Sequence, residues 1–409
     1  MTQTCDILIC GAALAGLATA LALGGAQAER PLEVIIADAR DPHAFTAEDF
    51  DSRASAITAS SRRMFEVLGV WDRLAAVAQE IARIDVTDET AGSPQRPALL
   101  QFAAEGNSSF HMVENRHLFS ALLDAVKAAP GVRLITGELA DRFRFGPGRA
   151  EVQFKSGLAI KADLVIGADG RNSAARTAAG ISTWGWDYGQ TGMVSRVRHE
   201  LAHGGVALES FRPGGPFAVL PLTGNRASIV WCERTDAARR IMARDEAGFA
   251  GELRHAFGDR LGVVTPDGPR HAHPLSLLMA REMAGPRLAL IGDAAHALHP
   301  LAGLGFNLAL RDAAALAECV AGAIALGLDP GGAAVLDRYV RWRRFDTAMT
   351  AFLTDGFNRL FSNDLSGVAA LRKAGLVLAN AMSPLKPLIM REAAGDLGNL
   401  PKLLRGEAV

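Results

Sequence analysis

An apolar run, Asp6-Ile7-Leu8-Ile9-Cys10, halts at Gly11-Ala12-Ala13-Leu14-Ala15-Gly16 and resumes as Leu17-Ala18-Thr19-Ala20-Leu21-Ala22-Leu23. Few folds accept a buried strand that turns on glycines straight into a helix. Such a helix start leaves backbone N–H groups unpaired, and the macrodipole adds partial positive charge there. The spacing is that of a dinucleotide-binding strand–turn–helix, which seats a pyrophosphate on the helix N-terminus. Ala13 occupies the place of the middle glycine, and its methyl group pushes the pyrophosphate slightly outward. A second strand, Glu33-Val34-Ile35-Ile36-Ala37, ends in Asp38, 22 residues after Gly16. An acid there holds a ribose 2′-hydroxyl and disfavours a 2′-phosphate.

Two later segments repeat the device. Asp163-Leu164-Val165-Ile166-Gly167-Ala168 is a buried strand delivering Asp169-Gly170 at a tight turn, with Arg171, Ser173 and Arg176 beyond it. Leu288-Ala289-Leu290-Ile291 leads through Gly292-Asp293, then Pro300, Gly303, Leu304 and Gly305, into an alanine- and leucine-rich helix. An electron-rich ring that gains negative charge on reduction, such as a flavin, suits the helix start at Gly305, Phe306 and Asn307. The Asp293 carboxylate suits a hydroxylated chain. Taken singly, the second turn reads as a plain Asp-Gly hairpin and the third as an ordinary helix entry. Their order along the chain carries the inference.

With these motifs in this order the chain resembles the single-component flavoprotein monooxygenases related to para-hydroxybenzoate hydroxylase. More closely it resembles the FAD-dependent hydroxylases of ubiquinone biosynthesis. The matching blocks are Asp51-Ser52-Arg53-Ala54-Ser55-Ala56, Leu68-Gly69-Val70-Trp71, His296 to Gly303, Asn307-Leu308-Ala309-Leu310-Arg311-Asp312, and Thr354-Asp355-Gly356-Phe357-Asn358-Arg359-Leu360-Phe361-Ser362. The last block separates this branch from its relatives, and the resemblance runs from about residue 5 to about residue 400. One departure is Leu304, where the branch has glutamine between the two glycines.

The resemblance implies an α/β fold: a Rossmann-like FAD-binding domain interleaved with a mixed β-sheet substrate domain and followed by a helical C-terminal region. The pieces expected are 1–80, 113–180 and 281–345 for the FAD-binding domain, 81–112 and 181–280 for the substrate domain, and 346–409 for the helical region. It implies cofactor contacts at Gly11, Ala13, Gly16, Asp38 and Arg40, at Arg53 and Arg116, at Asp169 and Gly170, and at Gly292 and Asp293. A last group comprises Pro300, Gly303, Leu304, Gly305, Phe306 and Asn307. It also implies the reaction: reduced FAD forms a C4a-hydroperoxide with dioxygen and passes one oxygen atom to a polyprenylated phenol. With one ribose-binding fingerprint visible, the electron donor, NAD(P)H or another redox protein, is expected to bind transiently. No general base is identified, and an activated phenol does not require a strong one.

The composition agrees. At 409 residues and 49% apolar content the chain can bury a large core, while a net charge of −1 without a basic run argues against nucleic acid. Cys5, Cys10, Cys232 and Cys319 show no metal spacing, which fits a reduced, cytoplasmic location. The apolar stretch from 7 to 26 is broken by glycines and lacks a basic leader, so it reads as a strand–helix unit rather than a membrane span. His296 and His299 read as structural histidines satisfied by their surroundings. Trp184-Gly185-Trp186 resembles the paired tryptophans of flavin halogenases, but the isoleucine-proline that follows in those enzymes is missing. A lipid substrate fits peripheral contact with the inner face of a membrane, other ubiquinone-biosynthesis proteins as partners, and a homo-oligomer. The apolar residues Leu376-Val377-Leu378, Met382 and Leu388-Ile389-Met390 suit core packing or a tunnel for the tail. Two further classes stay open: a monooxygenase of soluble aromatic compounds, and a non-catalytic flavoprotein scaffold of a quinone-biosynthesis complex, toward which Ala13 and Leu304 point.

Overall fold

The computed structural model describes residues 2–25, 32–48, 51–88, 100–103, 110–300, 303–361 and 398–409. Its foundation is a parallel sheet in the order Leu288–Leu290, Ala159–Gly167, Thr2–Cys10, Val34–Asp38, Val132–Thr136. Strands enclosed on both faces read as continuous apolar runs, and Ile7, Leu8, Ile9, Leu164, Val165 and Ile166 are all fully buried. The helix Leu14–Gly24 lies against this sheet, buried along nearly its whole length, and packs on the helices Leu304–Ala325 and Asn115–Ala128. Its alanines and glycines let these backbones approach closely. An antiparallel pair, Ala140–Phe145 and Ala150–Phe154, continues the sheet beside Ala159–Ala162.

A second sheet of nine strands runs His296–Ala297, His271–Ala280, Thr183–His199, Arg226–Arg234, Gly215–Leu222, Val206–Arg212, Arg83–Asp88, Leu100–Ala103, with Val264–Pro266 beside Thr183–His199. Alternation along its strands sorts two faces. Phe217, Val219, Ile229, Trp231 and Met193 face outward into a core with Phe249, Leu253 and Phe257. The covering helices, Thr235–Met242 and Glu246–Phe257, interrupt a stretch whose sequence reads as strands throughout. The inner face packs Ala207 and Leu222 on Ala56, Phe110 and Met112 of a three-stranded sheet formed by Ala54–Ile57, Phe110–Glu114 and Gln79–Ile81.

The helix Ala333–Phe361 spans both sheets; its 29 residues make it about 44 Å long. Near its start, Tyr339 donates from its hydroxyl to Leu290 O at 2.8 Å; near its end, Asn358 Nδ2 donates to Gln190 Oε1 at 3.1 Å. The apolar segments at 376–378, 382 and 388–390 lie outside the described residues. The chain end returns to the first sheet's helices: Leu403 and Leu404 are fully buried, and Arg63 Nε donates to Leu404 O at 2.9 Å. No helix among the described residues is long and apolar enough to cross a membrane.

Glu114, at the start of Asn115–Ala128, joins the two parts electrostatically. Arg196 Nη1 and Arg226 Nη2, both from the nine-stranded sheet, reach its carboxylate at 2.9 and 3.1 Å, and Arg116 Nη2 lies at 3.3 Å. Burial opposes its charge, but hydrogen bonds from His117 and Arg196 and the charges of Arg226 and Arg116 hold its pKa well below the ordinary range. A folded pKa below the unfolded one stabilises the fold above the unfolded value of about 4.3, and that contribution is lost as pH falls through the folded pKa. Glu114→Gln, which removes one partner of a buried ionic cluster, is expected to cost about 3–5 kcal/mol near neutral pH. The difference from wild type should shrink in acid. Urea unfolding of both proteins from neutral pH down to about pH 2 measures it, and a gap that stays constant below the unfolded pKa would contradict this assignment.

Candidate active site

Three turns converge at the ends of the first sheet's strands. Gly11, at φ 110°, passes so close to the neighbouring turn that an added Cβ would lie 2.3 Å from Ala168 O. A Cβ on Gly16 would lie 1.9 Å from Gly11 O. These two glycines are sterically required. Ala13 is not under that constraint: it is the N-cap of Leu14–Gly24 with φ −77° and ψ 179°, an extended conformation any residue adopts, and it is half-exposed. No side chain caps this helix, and its first internal bond is Leu17 N to Ala13 O at 3.0 Å. The N–H groups of Leu14, Ala15 and Gly16 therefore have no partner within the helix, a cradle for a pyrophosphate. Asp38 closes this end; its carboxylate accepts from Ala12 N and Arg40 N, both at 2.8 Å. Each oxygen keeps lone pairs for a ribose hydroxyl. Arg40 is exposed, with its guanidinium 4.8 Å from the centre of the Phe45 ring.

The second turn carries an orphan. Asp169 Oδ2 accepts from Ala174 N and Ala175 N at 2.7 and 3.1 Å, while Oδ1 is buried with no hydrogen-bond partner among the described residues. Gly170, at φ 79°, has open space where a side chain would stand. Arg176 stitches this turn to the third by donating to Ala294 O and Arg171 O, both at 2.8 Å.

The third turn is the most elaborate. Gly292, at φ 54°, starts a short 3-10 turn that presents Asp293 to solvent. Gly303 is left-handed and accepts no side-chain cap, although its N–H donates to Pro300 O at 3.2 Å. The 22-residue helix Leu304–Ala325 thus opens uncapped, and Gly305 has no atom within 4 Å of a would-be Cβ. The Asn307 side chain is engaged within the protein. Its amide donates to Ala56 O at 2.6 Å and accepts from Thr58 N at 3.1 Å, so it ties Ala54–Ile57 to the helix. Phe306 packs against Phe65, with ring centres 6.3 Å apart.

The structure brings Arg53 to this turn. Asp51 holds it through Nε at 3.0 and 2.9 Å and Nη2 at 2.8 Å. Burial works against the guanidinium charge, but Asp51 and then Asp293 raise its pKa above the ordinary value. Arg116, by contrast, is committed to Glu114 and to Glu48, the latter at 3.6 Å. Of the two histidines read as satisfied, only His296 is: its Nε2 donates to Asp312 Oδ2 at 2.6 Å. Both ring nitrogens of His299 are buried without a partner among the described residues.

Two uncapped helix starts, the acids Asp38 and Asp293 at their turns and an orphaned carboxylate oxygen fit a nucleotide cofactor with a hydroxylated chain and an electron-rich ring. Residues 4–351 match the family described as FAD binding domain. The chain is therefore a member of that family, an FAD-dependent monooxygenase. It is 42% identical over 407 residues to ubiquinone hydroxylase UbiL of Rhodospirillum rubrum, covering 99% of this chain and 93% of that protein. It is 36% identical over 397 residues to 3-demethoxyubiquinol 3-hydroxylase of Escherichia coli, covering 96% and 99%. Among solved structures it shares its fold with p-nitrophenol 4-monooxygenase PnpA of Pseudomonas putida, with TM-score 0.79 at 18% identity over 97% of this chain and 100% of that one. The chain belongs to the family of flavin-dependent ubiquinone hydroxylases.

The conformations predict opposite outcomes at neighbouring positions. Gly16→Ala should abolish FAD retention, because its methyl group has nowhere to go. Ala13→Gly should leave the FAD dissociation constant within about threefold of wild type, the cost of a flexible residue at a cap being a few tenths of a kcal/mol. Flavin fluorescence titration of the apoproteins tests both, and equal losses would show that Ala13 contacts the cofactor through its methyl group. In the same assay Asp38→Ala should weaken binding by about tenfold or more, the worth of one charge-assisted hydrogen bond.

Proposed function

We propose that this protein hydroxylates the aromatic ring of a polyprenylated phenol in ubiquinone biosynthesis, using dioxygen. The observation that carries this is the full-length match to two hydroxylases named for that pathway. Bound FAD supplies the redox chemistry, accepting two electrons and activating dioxygen for transfer of one oxygen atom to an electron-rich ring.

The residues present support that chemistry in distinct ways. The unpaired N–H groups at Leu304, Gly305 and Phe306 offer positive potential where a reduced flavin ring carries negative charge. The turn from Gly11 to Gly16 receives the pyrophosphate, Asp38 the ribose, and Asp293 the hydroxylated chain, with Arg53 held charged beside it. Leu277, Met279 and Ala351, with Leu298 packed against them, form a dry apolar wall beside the Pro300 turn, and water exclusion protects a reactive oxygen species from decay. The ring hydroxyl of the substrate already activates the carbon to be attacked.

The strand–glycine–helix unit at Gly11 to Gly16 is taken up by FAD, so the electron donor, NAD(P)H or a redox protein, docks transiently. We place the protein at the cytoplasmic side, in peripheral contact with the membrane that holds its substrate. Exposed Trp184, Trp186, Phe345 and Phe352, the last two each 73% accessible, support that contact.

Deletion of the gene should remove ubiquinone from lipid extracts and accumulate a prenylated phenol one oxygen atom short, read by mass spectrometry. Restoring the wild-type gene should reverse both changes, and a Gly16→Ala copy should not. A normal quinone profile, with purified enzyme oxidising a water-soluble phenol instead, would favour a catabolic hydroxylase. A complementing copy that cannot retain FAD would favour a scaffold.

A further inference from the structure

His299 is an anomaly of position as well as of bonding. It is 2% accessible, and neither Nδ1 nor Nε2 has a hydrogen-bond partner among the described residues. Its surroundings are apolar: Leu277, Met279, Leu298 and Ala351 form one cluster with Tyr188, whose ring stands edge-on to the imidazole with centres 5.3 Å apart. Tyr188 cannot turn its hydroxyl to the histidine without cost, because that hydroxyl donates to Asp355 Oδ1 at 3.0 Å. Burial holds the His299 pKa down at about 4, with Asp355 pulling the other way, so the ring is neutral near pH 7 and offers one donor and one acceptor.

A buried, unpaired imidazole is tolerated where a ligand completes it. His299 immediately precedes Pro300, whose carbonyl accepts from Gly303 N at 3.2 Å, so one tight turn separates it from the open start of Leu304–Ala325. Its ring stands against Tyr188 of the strand Thr183–His199, in the large sheet. Two other unpaired buried groups lack this placement. Trp231 Nε1 lies in the core beneath the helices of the large sheet, and His111 packs against Trp71.

Resting on the hydroxylase function proposed above, we infer that His299 is the polar contact for the substrate's phenolic hydroxyl, positioning the ring at the oxygen-transfer site. A hydroxyl both donates and accepts, which suits a neutral imidazole, and an aromatic ring suits the neighbouring Tyr188 edge.

FAD-loaded enzyme is reduced chemically without oxygen, mixed with a short-chain prenylphenol in detergent, and then oxygenated. Hydroxylated phenol and hydrogen peroxide are quantified. His299→Leu should retain FAD and melt no lower than wild type, since it removes an unpaired polar group. Its hydroxylated yield should fall about tenfold or more, with peroxide rising to match, the loss of one well-placed hydrogen bond. His299→Gln, which restores a donor and an acceptor, should recover part of the yield. A leucine variant that hydroxylates at the wild-type yield overturns the assignment and makes His299 a packing residue. Should that variant fail to hold FAD, the phenol's perturbation of the flavin spectrum is titrated in wild type and His299→Phe, which keeps a ring but has neither donor nor acceptor, and equal affinities overturn it. Wild-type enzyme that gives no hydroxylated prenylphenol overturns the functional proposal itself, and this one with it, so the two failures separate in the wild-type arm.

Discussion

Asp312 is fully buried, and the geometry of the third turn depends on it. Its Oδ2 accepts the Gly292 N–H at 3.0 Å and His296 Nε2 at 2.6 Å, while Oδ1 accepts Arg343 Nε at 2.8 Å. Burial raises the cost of its charge, and the attraction of His296 and Arg343 more than offsets it, so its pKa lies below the ordinary value. Arg343 and Arg311 in turn share Asp346. One carboxylate therefore fixes the left-handed Gly292, aims Asp293 outward and clamps Leu304–Ala325 to Ala333–Phe361. A buried charge of this kind contributes less as a net attraction than as a constraint, because removing any partner strands the others in low dielectric. The uncapped start of Leu304–Ala325 keeps its place because its body is anchored this way two turns along.

That anchoring explains how both cofactor-facing helices can leave their N-termini unsatisfied. A helix end without a cap normally frays or captures water. Leu14–Gly24 is held by burial on every side, and Leu304–Ala325 by the Asp312 network and by Asn307, whose amide is bonded to Ala56 and Thr58. The free N–H groups are thus presented by rigid bodies, which suits the stabilisation of charge that appears during a reaction. Arg53, paired with Asp51 and within the field of Asp293, adds a positive charge beside the same turn.

Much of this was legible in the sequence because its causes are local. Strand–glycine–helix turns advertise themselves by spacing, and Gly11 and Gly16 sit where backbones touch. Ala13 was read as a departure only because the fingerprint is a pattern of letters; in its extended conformation no glycine is required. The missed features arise between distant segments. Glu114 became a hub only when Arg196 and Arg226 arrived from another sheet. The tie from the Asn307 side chain to Ala56 and Thr58 was hidden because those partners lie some 250 positions away. Spacing alone could not distinguish satisfied His296 from unsatisfied His299, since the difference is Asp312, which one reaches and the other does not. The helices Thr235–Met242 and Glu246–Phe257 were hidden by shortness and by flanking strands of similar composition.

The block that marks this branch, Thr354 to Phe361, has a physical reason for its residue types. Asp355 accepts Trp186 Nε1 at 3.1 Å and the Tyr188 hydroxyl at 3.0 Å, and pairs with Arg359 at 3.0 Å. Arg359 lies 4.4 Å from the centre of the Trp186 ring, and Asn358 bonds Gln190. Three polar side chains on the end of one helix therefore grip alternate residues, 186, 188 and 190, of a single strand, across the bulge between Asp187 and Gln190 where its pairing slips. A bulge re-aims the side chains around it, and here the gripped residue is Tyr188, whose ring stands edge-on to His299. The helix end thus fixes where that ring stands. Sequence differences in this block would be felt first in the position of Tyr188.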